Sequence, residues 1–381
     1  MGRFSRQTWL LVCLWTLCSL LALGAIPAGA QSISSFSPSS PAAGSQMVIR
    51  GSGLNTPSIS LILYAKDKGA RINSWQLQGM IYYRTATEMR VQLASRGGSA
   101  VPAGNYTFHL ELFPATGSSK VIEMPLTLVP AKTTTIKALL IVKNQTNISA
   151  SGKIPQVKST LSAGDKNAIA TAFTTYYPYW VSRLTYERVK IDPYVVYSDV
   201  PVTTLSLSPA AGNYWVAPAD VRSDLNRYVS PGQYDVVFVY WKGIDSSTGK
   251  SVPGTNTGWG RGPSNESNKT SYAMINYATA DRWTQDSEWT EYFTHEMLHG
   301  LEQFYGPKSG VLLPTGADAP LHSNGNKNYD VRFHDRDPVL GGWKHWYEAF
   351  LNGKVRDNSN GNWLGLGETA WKYGTVREAA H

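Results

Sequence analysis

Cysteine is nearly absent: the 381 residues hold two, Cys13 and Cys18. Both fall within residues 1–30, so the remainder has no thiol for a disulfide framework or a cysteine-rich metal site. Charge is also sparse, with 16 % Asp, Glu, Lys and Arg. The excess of 35 Lys and Arg over 27 Asp and Glu gives a formal charge of +8, but no dense basic run carries it. A nucleic-acid footprint is therefore not indicated; diffuse positive charge leaves room only for weak attraction to anionic cell-surface polymers. The Gly-rich stretch 243–263 lacks the G-x-x-x-x-G-K-[ST] pattern that cradles phosphate, and its expected form is a flexible loop walling a cleft or lying on the surface. Beyond residue 23 no apolar run is long enough to cross a bilayer.

The first 30 residues have the pattern of an export signal. Arg3 and Arg6 precede the apolar run Trp9–Leu23, and Ala28-Gly29-Ala30 has the small-x-small form of a cleavage site. Residues 1–30 are expected to be a signal peptide, and their removal lowers the formal charge to +6. The mature chain is then a secreted, cysteine-free protein with no membrane span, resting on its packed core or on bound metal.

Histidines concentrate towards the C-terminal end, and the segment Glu288–Gly306 contains His295-Glu296-Met297-Leu298-His299, an H-E-x-x-H sequence. Histidines four apart on a helix differ by about 40° of rotation and one turn of rise, so both imidazoles meet one ion from the same face. Zn²⁺ accepts neutral imidazole nitrogen, and Glu296 is then placed as general base for the attacking water. The helix is supported by Asp286 or Ser287 as N-cap and by Glu288 and Glu291 in its first turn. Gly306-Pro307 is the expected terminator. Trp289, Phe293, Met297 and Leu301 form an apolar stripe on a face separate from Tyr292, His295, His299 and Glu302.

A catalytic zinc site needs a third protein ligand and an open position. His322, in the loop-like run after the helix, is the first choice. His334, then Glu348, with Asp335 also in reach of sequence, are the alternatives. Glu302 lies about 7.5 Å along the axis from the midpoint of the two histidines, which favours a supporting role over direct ligation. Tyr329 and Tyr347 are candidate donors to an oxyanion, or else packing tyrosines. The 13 tryptophans mostly sit in apolar runs, which assigns them to the core before any sugar platform.

Two domains are expected. Residues 31–130 read as an all-β sandwich, with alternating runs at Met47–Ile49, Ser60–Tyr64, Met89–Leu93 and Tyr106–Leu110. The segments Ile33–Pro38, Gly44, Ile49-Arg50-Gly51-Ser52-Gly53-Leu54 and Ala103-Gly104-Asn105-Tyr106 resemble the immunoglobulin-like IPT/TIG family. Such a resemblance implies a spacing or binding module. Residues 131–135 read as a linker, and 136–381 as a second, α/β domain. That domain has buried strands at Ile136–Val142, Tyr194–Tyr197, Tyr234–Trp241 and Ser271–Tyr277. Helices are expected at 165–188 (kinked by Pro178), 218–229 and 343–351.

Alternating strands and helices leading into H-E-x-x-H resemble the zincin metallopeptidases over residues 136 to 350. The resemblance implies a zincin-like catalytic domain acting on a protein or glycoprotein, with the strand before the motif helix, Ser271–Tyr277, at a sheet edge to pair with substrate. The metzincin continuation is absent, because its later Gly and His positions hold Glu302 and Tyr305. A non-peptide bond as the target, or an exported glycan- or surface-binding protein with a structural metal site, are the competing expectations.

Overall fold

The computed structural model describes residues 31–65, 74–208, 212–252, 257–331 and 340–380. The signal-peptide reading of 1–30, with Cys13 and Cys18, and the ligand candidates His334 and Asp335 lie outside the described residues. Among the described residues no helix is long and apolar enough to cross a membrane.

The chain forms a β-rich protein of two compact units. The first comprises two four-stranded antiparallel sheets. One runs in the order Ser32–Ser37, Gln46–Ser52, Glu88–Gln92, Ile81–Arg84; the other Ser74–Gln76, Ser58–Ala65, Gly104–Phe113, Lys120–Leu128. Alternation puts Met47, Ile49, Leu61, Leu63, Met89, Val91, Phe108 and Leu110 in its core. Phe36 meets Phe108 edge to face across the two sheets, with ring centres 4.9 Å apart. His109 is a strand residue, its Nδ1 2.7 Å from the cross-strand Glu123 carboxylate. Pro125 is tolerated because its strand is at the sheet edge. Residues 42–45 and 93–103, expected in the sandwich, belong instead to the second unit.

In the second unit a five-stranded sheet carries the architecture. Its strands are β1 (Thr134–Lys143), β2 (Val189–Ser198), β3 (Val236–Trp241), β4 (Gly258–Arg261) and β5 (Ser271–Asn276), in the order β2-β1-β3-β5-β4. The first four in that order are parallel, and β4 runs antiparallel to β5. β1 already starts at Thr134, so the expected linker 131–135 is partly strand. Both faces of the parallel strands are covered, which explains their continuous apolar runs. Ile136, Ala138, Leu140 and Val142 join one core, and Leu139, Ile141, Val237 and Val239 join another.

Two strands lie elsewhere than expected. Ser271–Tyr277 does not end the sheet: β5 is flanked by β3 and β4, and the antiparallel β4 is the edge strand. The stretch 243–263, expected as a loop, supplies that strand as Gly258-Trp259-Gly260-Arg261. The helix expected over 165–188 is α1 (Ala163–Thr171), one wide turn at Ala172–Tyr176, and α2 (Tyr177–Leu184). Pro178 has no N–H for the carbonyl one turn earlier, and the wide turn absorbs the mismatch. α3 (Arg222–Tyr228) follows a 3₁₀ turn at Pro218–Val221.

The motif helix is α4, Glu288–Ser309, with α5 (Lys344–Leu351) and α6 (Gly367–Tyr373) after it. Ser287 is the N-cap, its side chain accepting from the Thr290 N–H at 3.3 Å. Gly306-Pro307 does not end the helix: it continues to Ser309 and stops at Gly310, whose φ of +70° is left-handed. The Ser309 hydroxyl bonds the Tyr305 carbonyl at 2.8 Å in that last turn. Phe293, Met297 and Leu301 face the core as expected, with Trp289 partly buried against it.

Candidate metal centre

Side-chain direction on α4 brings His295 and His299 together, and the 3₁₀ segment Pro320–Gly325 carries His322 to them. The three Nε2 atoms form a near-equilateral triangle: His295 to His299 3.1 Å, His299 to His322 3.1 Å, and His322 to His295 3.3 Å. Tetrahedral zinc with bonds of ~2.05 Å requires nitrogens about 3.3 Å apart, so the spacing fits one such ion.

Each Nδ1 has its own oxygen. His299 Nδ1 lies 2.8 Å from Glu302 Oε1, His322 Nδ1 lies 2.8 Å from Asp318 Oδ1, and His295 Nδ1 lies 3.0 Å from the Tyr347 hydroxyl. An ionised carboxylate only accepts, which assigns the proton of His299 and His322 to Nδ1. Their Nε2 atoms then present lone pairs to each other at 3.1 Å. Burial, reinforced by the neighbouring His299 and His322, pushes His295 down to about 3, so this ring is neutral at physiological pH. Convergent lone pairs on neutral imidazoles repel unless a cation sits among them. The donor set, a triangle of nitrogens with oxygens behind them, suits zinc or another divalent ion that favours imidazole.

Glu302 is buried and bridges two elements, because its second oxygen accepts from the Leu321 N–H at 2.7 Å. It supports His299 and does not ligate. Glu348, the third alternative ligand, lies elsewhere, in a buried pair with Lys354 that also takes a hydrogen bond from Tyr186. Neither tyrosine stands as a free oxyanion donor. The Tyr347 hydroxyl engages His295, and the Tyr329 hydroxyl is tied to the Thr315 backbone at 2.7 and 2.9 Å.

Glu296 is 4 % exposed, and its Oε2 has no hydrogen-bond partner. Burial, with the Glu302 charge adding to it, holds its carboxyl well above the usual carboxylate range, against an opposing hydrogen bond from the Gly260 backbone. Such an unsatisfied buried carboxyl is costly unless a proton or a ligand meets it. β4 explains how it is packed. A Cβ at Gly258 would overlap Glu296 Oε1, and one at Gly260 would overlap the Glu296 carbonyl and lie 2.9 Å from His299 Cβ. At Gly262 a Cβ would lie 2.8 Å from Gln303 Cβ. The alternating glycines therefore let the backbone of this strand lie directly against the face of α4. Their spacing of two residues is the sequence signal for that strand, and it was hidden by the loop-like composition around it.

A cavity of about 400 Å³ opens beside the imidazoles, lined by Glu288, Glu291, Tyr292, His295, His322, Trp343 and Tyr347. Trp343 stands edge-on to His295 with ring centres 5.1 Å apart. Glu291 is buried and paired with Lys344 at 2.8 Å.

No family model and no curated protein matches this chain. Among solved structures, CopC from Methylosinus trichosporium OB3b matches at 13 % identity and a TM-score of 0.20, over 27 % of this chain and 97 % of that one. PcoC, a methionine-rich copper resistance protein from Escherichia coli, matches at 14 % identity and a TM-score of 0.20, over 26 % and 98 %. A pullulanase from Bacillus acidopullulyticus matches at 10 % identity and a TM-score of 0.17, over 56 % and 39 %. Likenesses this slight carry no argument about the site, which stands on its own geometry.

Proposed function

We propose that this chain is an exported zinc-dependent peptidase with a zincin-like catalytic unit and an N-terminal IPT/TIG-like module. The observation that carries the reading is the triangle of His295, His299 and His322 Nε2 atoms, 3.1–3.3 Å on a side, with an oxygen behind every ring. A zinc ion held there supplies Lewis acidity, which makes water nucleophilic near neutral pH and polarises a carbonyl.

The protein's own groups do the rest. Tyr347, Glu302 and Asp318 fix the orientation of the three imidazoles and keep their Nε2 lone pairs convergent. Glu296, with one oxygen unengaged, takes the proton of the attacking water and hands it to the departing amine. The strand role implied by the zincin resemblance falls to β4, the edge strand against Glu296, where an extended peptide adds by β-augmentation.

Digestion of casein or mucin by the zinc-loaded protein, with and without a chelator, tests the reading. Cleavage that stops with chelator and returns with zinc is expected. Glu296→Gln is expected to retain zinc and lose turnover. Full hydrolysis by that variant, or none by the zinc-loaded parent on any peptide, would refute it.

A further inference from the structure

The cavity beside the imidazoles has a chemistry of its own, set by one stripe of α4. Glu288, Glu291, Tyr292 and His295 are spaced at three, four and seven residues, so they share a face, and Glu288 lies about 10 Å along the axis from His295. Aromatic rings form the wall between the two ends: Tyr292 from α4, and Trp343 and Tyr347, which stack with centres 6.0 Å apart.

Among the described residues that line it, one group carries the uncompensated charge of the cavity. Glu291 is already neutralised, since Lys344 Nζ lies 2.8 Å from Oε1 and the Trp343 N–H lies 3.3 Å from Oε2. Glu288 is exposed and, among the described residues, its carboxylate has no ion pair or hydrogen bond. A cavity lined by aromatic faces, with Glu288 the one carboxylate among its described lining residues that lacks a counter-ion, suits a side chain with an apolar stem and a cationic tip. The stem lies along the rings, the cation gains attraction to their faces, and the tip reaches Glu288. That separation, about one Debye length, also weakens repulsion between the tip and positive charge among the imidazoles.

Building on the peptidase reading, we propose that this cavity is a specificity pocket for a lysine or arginine side chain adjoining the scissile bond, with Glu288 as the selecting residue. Glutamate at the same substrate position is opposed by Glu288, and alanine leaves the aromatic wall unfilled.

Calorimetric binding to zinc-loaded Glu296→Gln protein provides the test, using blocked hexapeptides identical except for Arg, Phe, Ala or Glu at one central position. Arg is expected to bind at least tenfold more tightly than Ala or Glu. Adding Glu288→Gln is expected to shrink the Arg-over-Glu ratio severalfold, and Glu288→Lys to invert it. Equal binding of the four peptides, tighter binding of Phe than Arg, or an Arg-over-Glu ratio unmoved by Glu288→Lys would overturn the proposal. Peptide cleavage by the parent protein is scored separately: an Arg preference in binding without any cleavage sustains the pocket and refutes the peptidase reading, whereas cleavage without that preference does the reverse.

Discussion

Glu302 accepts a hydrogen bond from the Leu321 N–H at 2.7 Å, joining the motif helix to the segment that carries His322. Its other oxygen lies 2.8 Å from His299 Nδ1. One buried carboxylate thus orients one imidazole and places the neighbour of another, so two of the three proposed ligands depend on it.

Replacing Glu302 should therefore weaken metal binding while leaving all three histidines in place. Loss of an outer-shell partner typically costs ~10–100-fold in affinity. Glu302→Gln keeps the shape but can serve only one of its two partners as before, and Glu302→Ala serves neither. Competition with a fluorescent zinc chelator should rank the affinities parent, then Gln, then Ala. An alanine variant that binds as tightly as the parent would show that the bridge does not matter.

Gly258 should tolerate no side chain. Its Cβ would overlap the Glu296 carboxylate, so Gly258→Ala must displace either the proposed general base or the edge strand. Peptide turnover should fall by at least ~10-fold if a shift of ~1 Å at the base is enough to misplace it. Gly164, near the start of α1, is the control: a Cβ there lies 3.7 Å from the Ser162 hydroxyl, an ordinary contact. Circular dichroism melts alongside the rates separate a misplaced base from a misfolded unit.

Tyr347→Phe removes the oxygen 3.0 Å from His295 Nδ1 and keeps the ring that walls the cavity. The His295 ring loses its orienting partner, and zinc affinity should fall severalfold, by less than for Glu302→Ala because a hydroxyl supports the imidazole less strongly than a carboxylate. Zinc dissociation rates measured by chelator trapping should rise accordingly; an unchanged rate would count against this role.

Metal removal should lower the melting temperature of the second unit. Free zinc at ~100 times its dissociation constant stabilises the bound state by about 2.7 kcal/mol. For a unit of this size that corresponds to roughly 5–10 °C. Calorimetry with chelator and with restored zinc measures it. The first unit has no cluster of this kind among its described residues, and its transition should not move.

Much of the candidate metal site was legible in the chain because it is local. His295 and His299 are one turn apart on a helix whose cap, Ser287, and apolar stripe, Phe293, Met297 and Leu301, are written in sequence order. His322 could be favoured because a loop just past that helix has few places to go. What escaped was set by distant partners. Gly258, Gly260 and Gly262 form or flank a strand because a helix backbone occupies the space their side chains would need, and composition alone reads them as loop. The partner of the Tyr347 hydroxyl lies 52 residues away, and nothing local distinguishes this tyrosine from a packing one. Pro307 marked a helix end too early: the helix runs through it to Ser309 and closes at Gly310, although a proline there offers no N–H to the carbonyl one turn before.

The proposed function rests on three imidazoles holding one zinc ion. Elemental analysis of the protein, loaded with zinc and desalted, tests it most directly when His322→Ala and His109→Gln are measured alongside. One zinc per chain is expected for the parent and for His109→Gln, and its loss in His322→Ala. A parent that retains no zinc, or a His322→Ala variant that keeps a full equivalent, would contradict it.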